Sequence, residues 1–215
     1  MSIFSSSAAA LRAKKLGDTV VKALESRHFE PYYCDNREQA KSLMMSLIPE
    51  GASVSFGGSA TIDQIGIVPS LKEGNFRVID RNSVPAEERE NAMREAFFAD
   101  YYLSSSNAVT EDGMLFNIDG NGNRVAAMTY GPKNVIVVVG INKIVKDIDA
   151  AVSRARNLAA PTNAQRFEIS TPCKINGSCA DCRSKDSICA YMVTTRLCRP
   201  AKKIKVIIVG ESLGF

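Results

Sequence analysis

The sequence predicts an α/β protein, layered, with a largely parallel sheet, on three observations. Segments of helical spacing alternate with short strand-like runs through roughly the first hundred residues. Two late stretches, "NVIVVVG" at 134–140 and "KIKVIIVG" at 203–210, read as further strands. The first of them is a continuous apolar run of the kind buried on both faces. Hydrophobic residues make up 45% and charged residues 23% of the 215, ordinary for a globular chain large enough for one ample domain.

Taken in order, residues 8–29 have helical spacing, with Leu11, Val20, Val21 and Leu24 on one apolar face. "YYC" at 32–34 is a short strand candidate. Asp35 or Asn36 can cap a helix over 37–48, which Pro49 stops. "GASVSF" at 51–56 is a strand that runs into Gly57-Gly58-Ser59, and a helix follows through residue 74, bent near Pro69. "FRVID" at 76–80 is a strand. Pro85 opens a helix over 85–99 at its first turn, and "DYYLSSS" at 100–106 is the next strand. "GMLFNI" at 113–118 and "RVAAMTY" at 124–130 read as a hairpin joined by "DGNGN". A helix over 146–160 follows the 134–140 strand. No internal repeat or linker interrupts the chain, so the expected organisation is one domain over 1–215. A cysteine-rich insertion at about 172–198 precedes the last strand.

The net charge of +4 comes from dispersed basic residues, which describes a solvated surface and argues against a nucleic-acid face. No run approaches the ~18 apolar residues of a membrane span, and the N-terminal "MSIFSSSAAALRAKK" lacks the apolar stretch of a leader. A cytoplasmic protein is expected. In that reducing compartment, the stretch "PCKINGSCADCRSKDSIC", which holds four of the six cysteines, argues for metal ligands or free thiols before disulfides. Cys179 and Cys182 are two residues apart, a spacing that lets both thiolates bind one ion. Cys173 and Cys189 can complete a four-thiolate set for zinc or an iron–sulfur cluster, with Cys198 left over. Free thiols remain the competing reading.

Three stretches suggest a ligand pocket. Gly57 and Gly58 let backbone approach a ligand at the start of a helix, where Ser59 and Thr61 add hydroxyls suited to phosphate or carboxylate; a tight connection alone also explains them. Asn107, Glu111, Asn117, Asn123 and Arg124 fall at strand ends and turns, where Arg124 can pair with a carboxylate and Glu111 can act as base or nucleophile. Asn142 and Lys143 lie just past a buried strand, where ligands of open α/β sheets sit; Asn142 equally suits a helix cap. His28 is assigned no chemistry. The chain lacks a GxGxxG turn after a first strand, which argues against a dehydrogenase with its own NAD.

"GASVSFGGSATIDQIG", the long stretch from Thr110 to Arg166 and the closing "KIKVIIVGESLGF" together resemble the LUD, or lactate-utilisation, domain family over about residues 8–215. The segment "CKINGSCADCRSKDSIC" resembles a cysteine-bearing subgroup of that family. The resemblance implies a NagB/RpiA/CoA-transferase-like fold and a role beside iron–sulfur oxidoreductase subunits in oxidising L-lactate to pyruvate. It maps the family's GG-S/T turn onto Gly57, Gly58, Ser59 and Thr61, its N-R segment onto Asn123 and Arg124, and its N-K segment onto Asn142 and Lys143. "VTEDG" resembles the acidic stretch of sugar-phosphate isomerases, which implies a catalytic Glu111. The alternative is a stand-alone enzyme or sensor of the isomerase or CoA-transferase type that binds a small anion.

Overall fold

The computed structural model describes residues 3–215; Met1 and Ser2, the start of the N-terminal stretch read above for a leader, lie outside the described residues. Helix α1 (Ile3–Ser26) leads into β1 (Glu30–Cys34). Val20 and Leu24 are fully buried and Val21 packs beside them, whereas Leu11 stays exposed because, at about 3.6 residues per turn, it lies on the opposite side of α1 from Val20. Helix α2 (Arg37–Leu47) is capped by Asn36, whose side chain accepts from the Gln39 N–H at 2.9 Å. Strand β2 (Ser53–Phe56) ends at the Gly57–Ser59 turn. Ser59 then caps α3 (Ala60–Ile65) by accepting from the Ile62 N–H. The helix breaks at Gly66, in the left-handed region at φ +69°, so the interruption precedes Pro69 and separates α3 from α4 (Ile67–Glu73).

Strand β3 (Arg77–Ile79), helix α5 (Arg89–Glu95) and β4 (Tyr101–Ser104) come next, followed by β5 (Ala108–Thr110), β6 (Leu115–Asp119) and α6 (Asn123–Thr129). Strand β7 (Asn134–Gly140), a short β8 (Ile144–Val145) and α7 (Ile148–Arg154) precede α8 (Ala160–Ala164) and α9 (Pro172–Asn176). The chain closes with β9 (Tyr191–Thr195) and β10 (Ile204–Val209).

Six strands pair in the order β1-β10-β7-β4-β2-β3, every pairing parallel, as the sequence predicts. Side chains alternate across this sheet. Val135, Val137 and Val139 of β7 enter one apolar cluster with Val20 and Leu24, while Ile136 and Val138 enter the opposite one with Met44, Ile62 and Leu71. The layers are therefore helix, sheet, helix, built on a strand with no polar face.

A second sheet of four strands, β8-β5-β6-β9, is smaller and mixed, and the sequence reading does not anticipate it. The expected hairpin is not formed. Residues 124–130 are helical for most of their length, and β6 pairs with β5 and β9 instead. The cause is local. The Asp119 carboxylate accepts from the Gly122 N–H at 3.2 Å and the Val125 N–H at 3.0 Å, satisfying donors that open α6. Strand β9 falls inside the cysteine-rich segment, whose residues between α9 and β9 have no helix or strand. Among the described residues no helix is long and apolar enough to cross a membrane.

Candidate functional site

Parallel strands all end at one edge of their sheet, and a cavity of about 420 Å³ opens there. The turn after β2 supplies Gly57, Gly58, Ser59 and Thr61, and the residue after Asp80 supplies Arg81. The segment after β4 adds Ser105, Ser106 and Asn107, and the turn after β7 adds Lys143. Opposite them stand Asp119 to Arg124, at the start of α6, and Asn163 to Ile169, after α8. Lys185 to Ile188 and the closing Gly214-Phe215 complete the wall. Close approach explains two glycines. A Cβ on Gly58 would meet the Arg81 guanidinium at 2.8 Å, and one on Gly120 would meet the Ile188 backbone at 3.2 Å.

Arg124 is fixed by acceptors on three strands or turns. Nη1 donates to the Ser105 carbonyl at 2.9 Å and to Asn117 Oδ1 at 2.7 Å. Nη2 donates to Asn107 Oδ1 at 3.0 Å and to the Ile118 carbonyl at 2.7 Å. None of these acceptors is charged. Burial lowers the guanidinium's pKa, with Asp119 and Tyr102 opposing the shift. Tyr102, beside Gly57, is in turn pushed up to about 12 by burial.

Lys143 is 4% exposed. Its Nζ donates to Thr61 Oγ1 at 2.9 Å and to Ser105 Oγ at 3.0 Å, both neutral hydroxyls. Burial, then the positive charges of Arg154 and Arg124, push its pKa down to about 7. Arg154 is held nearby by the carbonyls of Asn107 and Asn142, at 2.6 and 3.1 Å. The two carboxylates on the cavity wall are already engaged, Asp119 at the start of α6 and Asp186 with the Ser170 N–H at 3.0 Å. Arg81, Arg124, Arg166 and Lys185, with the amine of Lys143 among them, thus face a space with an excess of positive charge.

Of the residues singled out from the sequence, Gly57, Gly58, Ser59, Thr61, Asn107, Asn123, Arg124 and Lys143 are brought together on this wall. Asn117 stands behind it, orienting Arg124. Asn142 also stands behind it: its Oδ1 accepts from the Leu213 N–H at 3.0 Å and so fastens the closing segment. Glu111 is not brought in. Its N–H joins the Val145 carbonyl, and its carboxylate pairs with Lys146 at 2.7 Å on the outside of the small sheet.

The cysteine segment flanks the cavity. Arg156 Nη2 lies 3.8 Å from Cys179 Sγ and 2.5 Å from Asp181. Burial, with Cys173, Cys179 and Cys182 close by, pushes the Cys189 thiol up to about 11. In this arrangement the four thiols are neighbours, yet no three His, Cys, Asp or Glu side chains among the described residues form a set that could hold a metal ion. Cys198 lies apart and buried, its thiol against the Pro200 carbonyl.

Sequence reasoning missed Arg81, Ser105, Arg166 and Phe215. The first two stand just beyond the carboxyl ends of β3 and β4, so the rule that points to Lys143 applies to them equally. Nothing local marks Arg166 or Phe215, which pack against one another from distant parts of the chain, with the guanidinium 6.0 Å from the ring centre.

Residues 18–209 match the family model of the LUD domain. Among solved structures, a DUF162 family protein from Deinococcus radiodurans is similar over 92% of this chain and 98% of its own, at 11% identity and a TM-score of 0.56. Ribose 5-phosphate isomerase A from Methanocaldococcus jannaschii aligns over 52% of this chain and 55% of its own, at 20% identity and a TM-score of 0.35. For eIF2B beta from Chaetomium thermophilum the figures are 56%, 43%, 18% and 0.39. The first likeness shows a shared fold. No curated protein matches the chain.

Proposed function

This chain belongs to the LUD domain family, and from that membership and the cavity together we propose that it binds a small organic anion in lactate utilisation. One observation carries the binding reading. The cavity gathers four cationic side chains, Arg81, Arg124, Arg166 and Lys185, beside the amine of Lys143, while the side-chain carboxylates of Asp119 and Asp186 are spent on backbone N–H groups. A carboxylate or phosphate entering there gains charge-assisted hydrogen bonds from Arg81, Arg166 and Lys185. Conversion of L-lactate to pyruvate releases two electrons and two protons. In the proposed system iron–sulfur partner subunits take the electrons, and this chain holds the carboxylate. The neighbouring thiols of Cys173, Cys179, Cys182 and Cys189 would take zinc or a cluster only after moving into a chelating set, and no step is routed through them.

Calorimetric titration of the full chain with L-lactate, pyruvate, phosphate and sulfate tests the binding. At least one organic acid is expected to bind, with affinity falling as salt rises. Arg81→Met combined with Arg166→Met is expected to weaken it tenfold or more. A wild-type chain that binds none of these anions at millimolar concentration refutes the reading. Phosphate bound strongly in preference to every organic acid would favour the stand-alone isomerase-like alternative.

A further inference from the structure

Lys143 has a feature that anion binding alone leaves unused. Ion-paired lysines elsewhere in the chain face carboxylates, as Lys72 does Asp80 at 2.6 Å and Lys146 does Glu111 at 2.7 Å. Lys143 is more deeply buried than either, and it donates to two hydroxyls. An ammonium in such a place is poorly compensated. A neutral amine fits it. Its two N–H groups match the two acceptors, Thr61 Oγ1 and Ser105 Oγ, and its lone pair is then unclaimed on the wall of a 420 Å³ cavity.

We propose that the Lys143 amine is a nucleophile, forming a reversible imine with a small aldehyde or ketone that carries a carboxylate or phosphate. The inference rests on the anion-binding reading, because Arg81 and Arg166 on the same wall hold the charged end of that compound. The balance is simple. Nζ attacks the carbonyl carbon, and the proton it sheds passes to the carbonyl oxygen, giving a carbinolamine. The carbinolamine hydroxyl then leaves as water with the remaining Nζ proton, which forms the C=N bond with no oxidant or reductant required. The hydroxyls of Thr61 and Ser105 orient Nζ during attack. Desolvation and the cations Arg154 and Arg124 keep a large fraction of the amine unprotonated at neutral pH, where an ordinary lysine with a pKa of ~10.4 has almost none.

The test is reductive trapping. The full chain is incubated at neutral pH with pyruvate in one arm and glyceraldehyde 3-phosphate in another, treated with sodium cyanoborohydride, digested and mapped by mass spectrometry. The expected result is a secondary-amine adduct on Lys143 formed at least tenfold faster than on any exposed lysine. The arm that reacts identifies the charged group. Lys143→Arg is expected to abolish the adduct. Should that variant fail to fold, excess L-lactate, which has no aldehyde or ketone group, must protect Lys143 in the wild type. Modification spread evenly over exposed lysines, or none, overturns the proposal. Binding of L-lactate by calorimetry without any adduct removes the imine and leaves the anion site standing; absence of both removes the anion site as well.

Discussion

At the residue scale, Lys143 ties folding to pH. The unfolded chain keeps this proton up to about pH 10.4, whereas the folded chain releases it near 7. Between those values the unfolded state binds the additional proton, so this contribution to stability rises with pH; below about 7 the burial penalty is present in full. Urea unfolding of wild type and Lys143→Met should show their difference moving in favour of wild type between about pH 7 and 9. The slope should reach at most ~1.4 kcal/mol per unit, and a difference independent of pH would contradict the assignment. Arg124 makes the opposite kind of contribution. Its Nη groups satisfy the Ser105 and Ile118 carbonyls and the amides of Asn107 and Asn117. Arg124→Met removes a charged donor from all four; Asn107 Oδ1 keeps the Ile118 N–H and the Ser105 carbonyl keeps the Ser104 hydroxyl, and a loss of roughly 3 kcal/mol is expected in the same measurement.

At the scale of single elements, α6 shows how one carboxylate decides a local structure. Asp119→Ala removes the acceptor for the Gly122 and Val125 N–H groups and is expected to cost about 1 kcal/mol in thermal unfolding, as loss of a helix cap does. The sequence does not betray this helix. "RVAAMTY" is too short for its period to separate helix from strand, and "DGNGN" contains the residues of a tight hairpin. Strand β7 is the reverse case, since its apolar run admits only a buried element. The ligand wall divides in the same way. Gly57 to Thr61, Arg124 and Lys143 are legible because each adjoins a strand or turn signal, while Arg166 and Phe215 meet only once the strand order is known. Glu111 was suggested by a likeness between short motifs, and its neighbour Lys146 offers it a partner on the outer face. The cysteine segment has its own observable. With Cys189 raised to about 11, its thiolate is scarce at pH 8. Iodoacetamide should therefore alkylate Cys189 more slowly than a thiol with an ordinary pKa of ~8.5, with the rate still climbing above pH 9.

For the molecule as a whole, stability resides in the parallel sheet. Ile136, at 0% exposure in the centre of β7, is expected to cost roughly 2–5 kcal/mol when changed to Ala. Phe98, at 87% exposure, should cost less than ~0.5 kcal/mol on the same change. Equal losses at the two positions would mean that this sheet is not the cooperative centre. The strand order has a consequence for biosynthesis. Strand β1 pairs with β10 and through it reaches β7. A ribosome makes β1 long before β10, and at ~5–20 residues per second the chain between them takes on the order of ten seconds, so β1 waits that long for its partner. During that interval β7, β4, β2 and β3 can assemble, but β1 has no strand to pair with. A nascent chain halted before residue 204 should therefore be cut readily by protease around β1, and extension far enough to expose β10 should end that sensitivity.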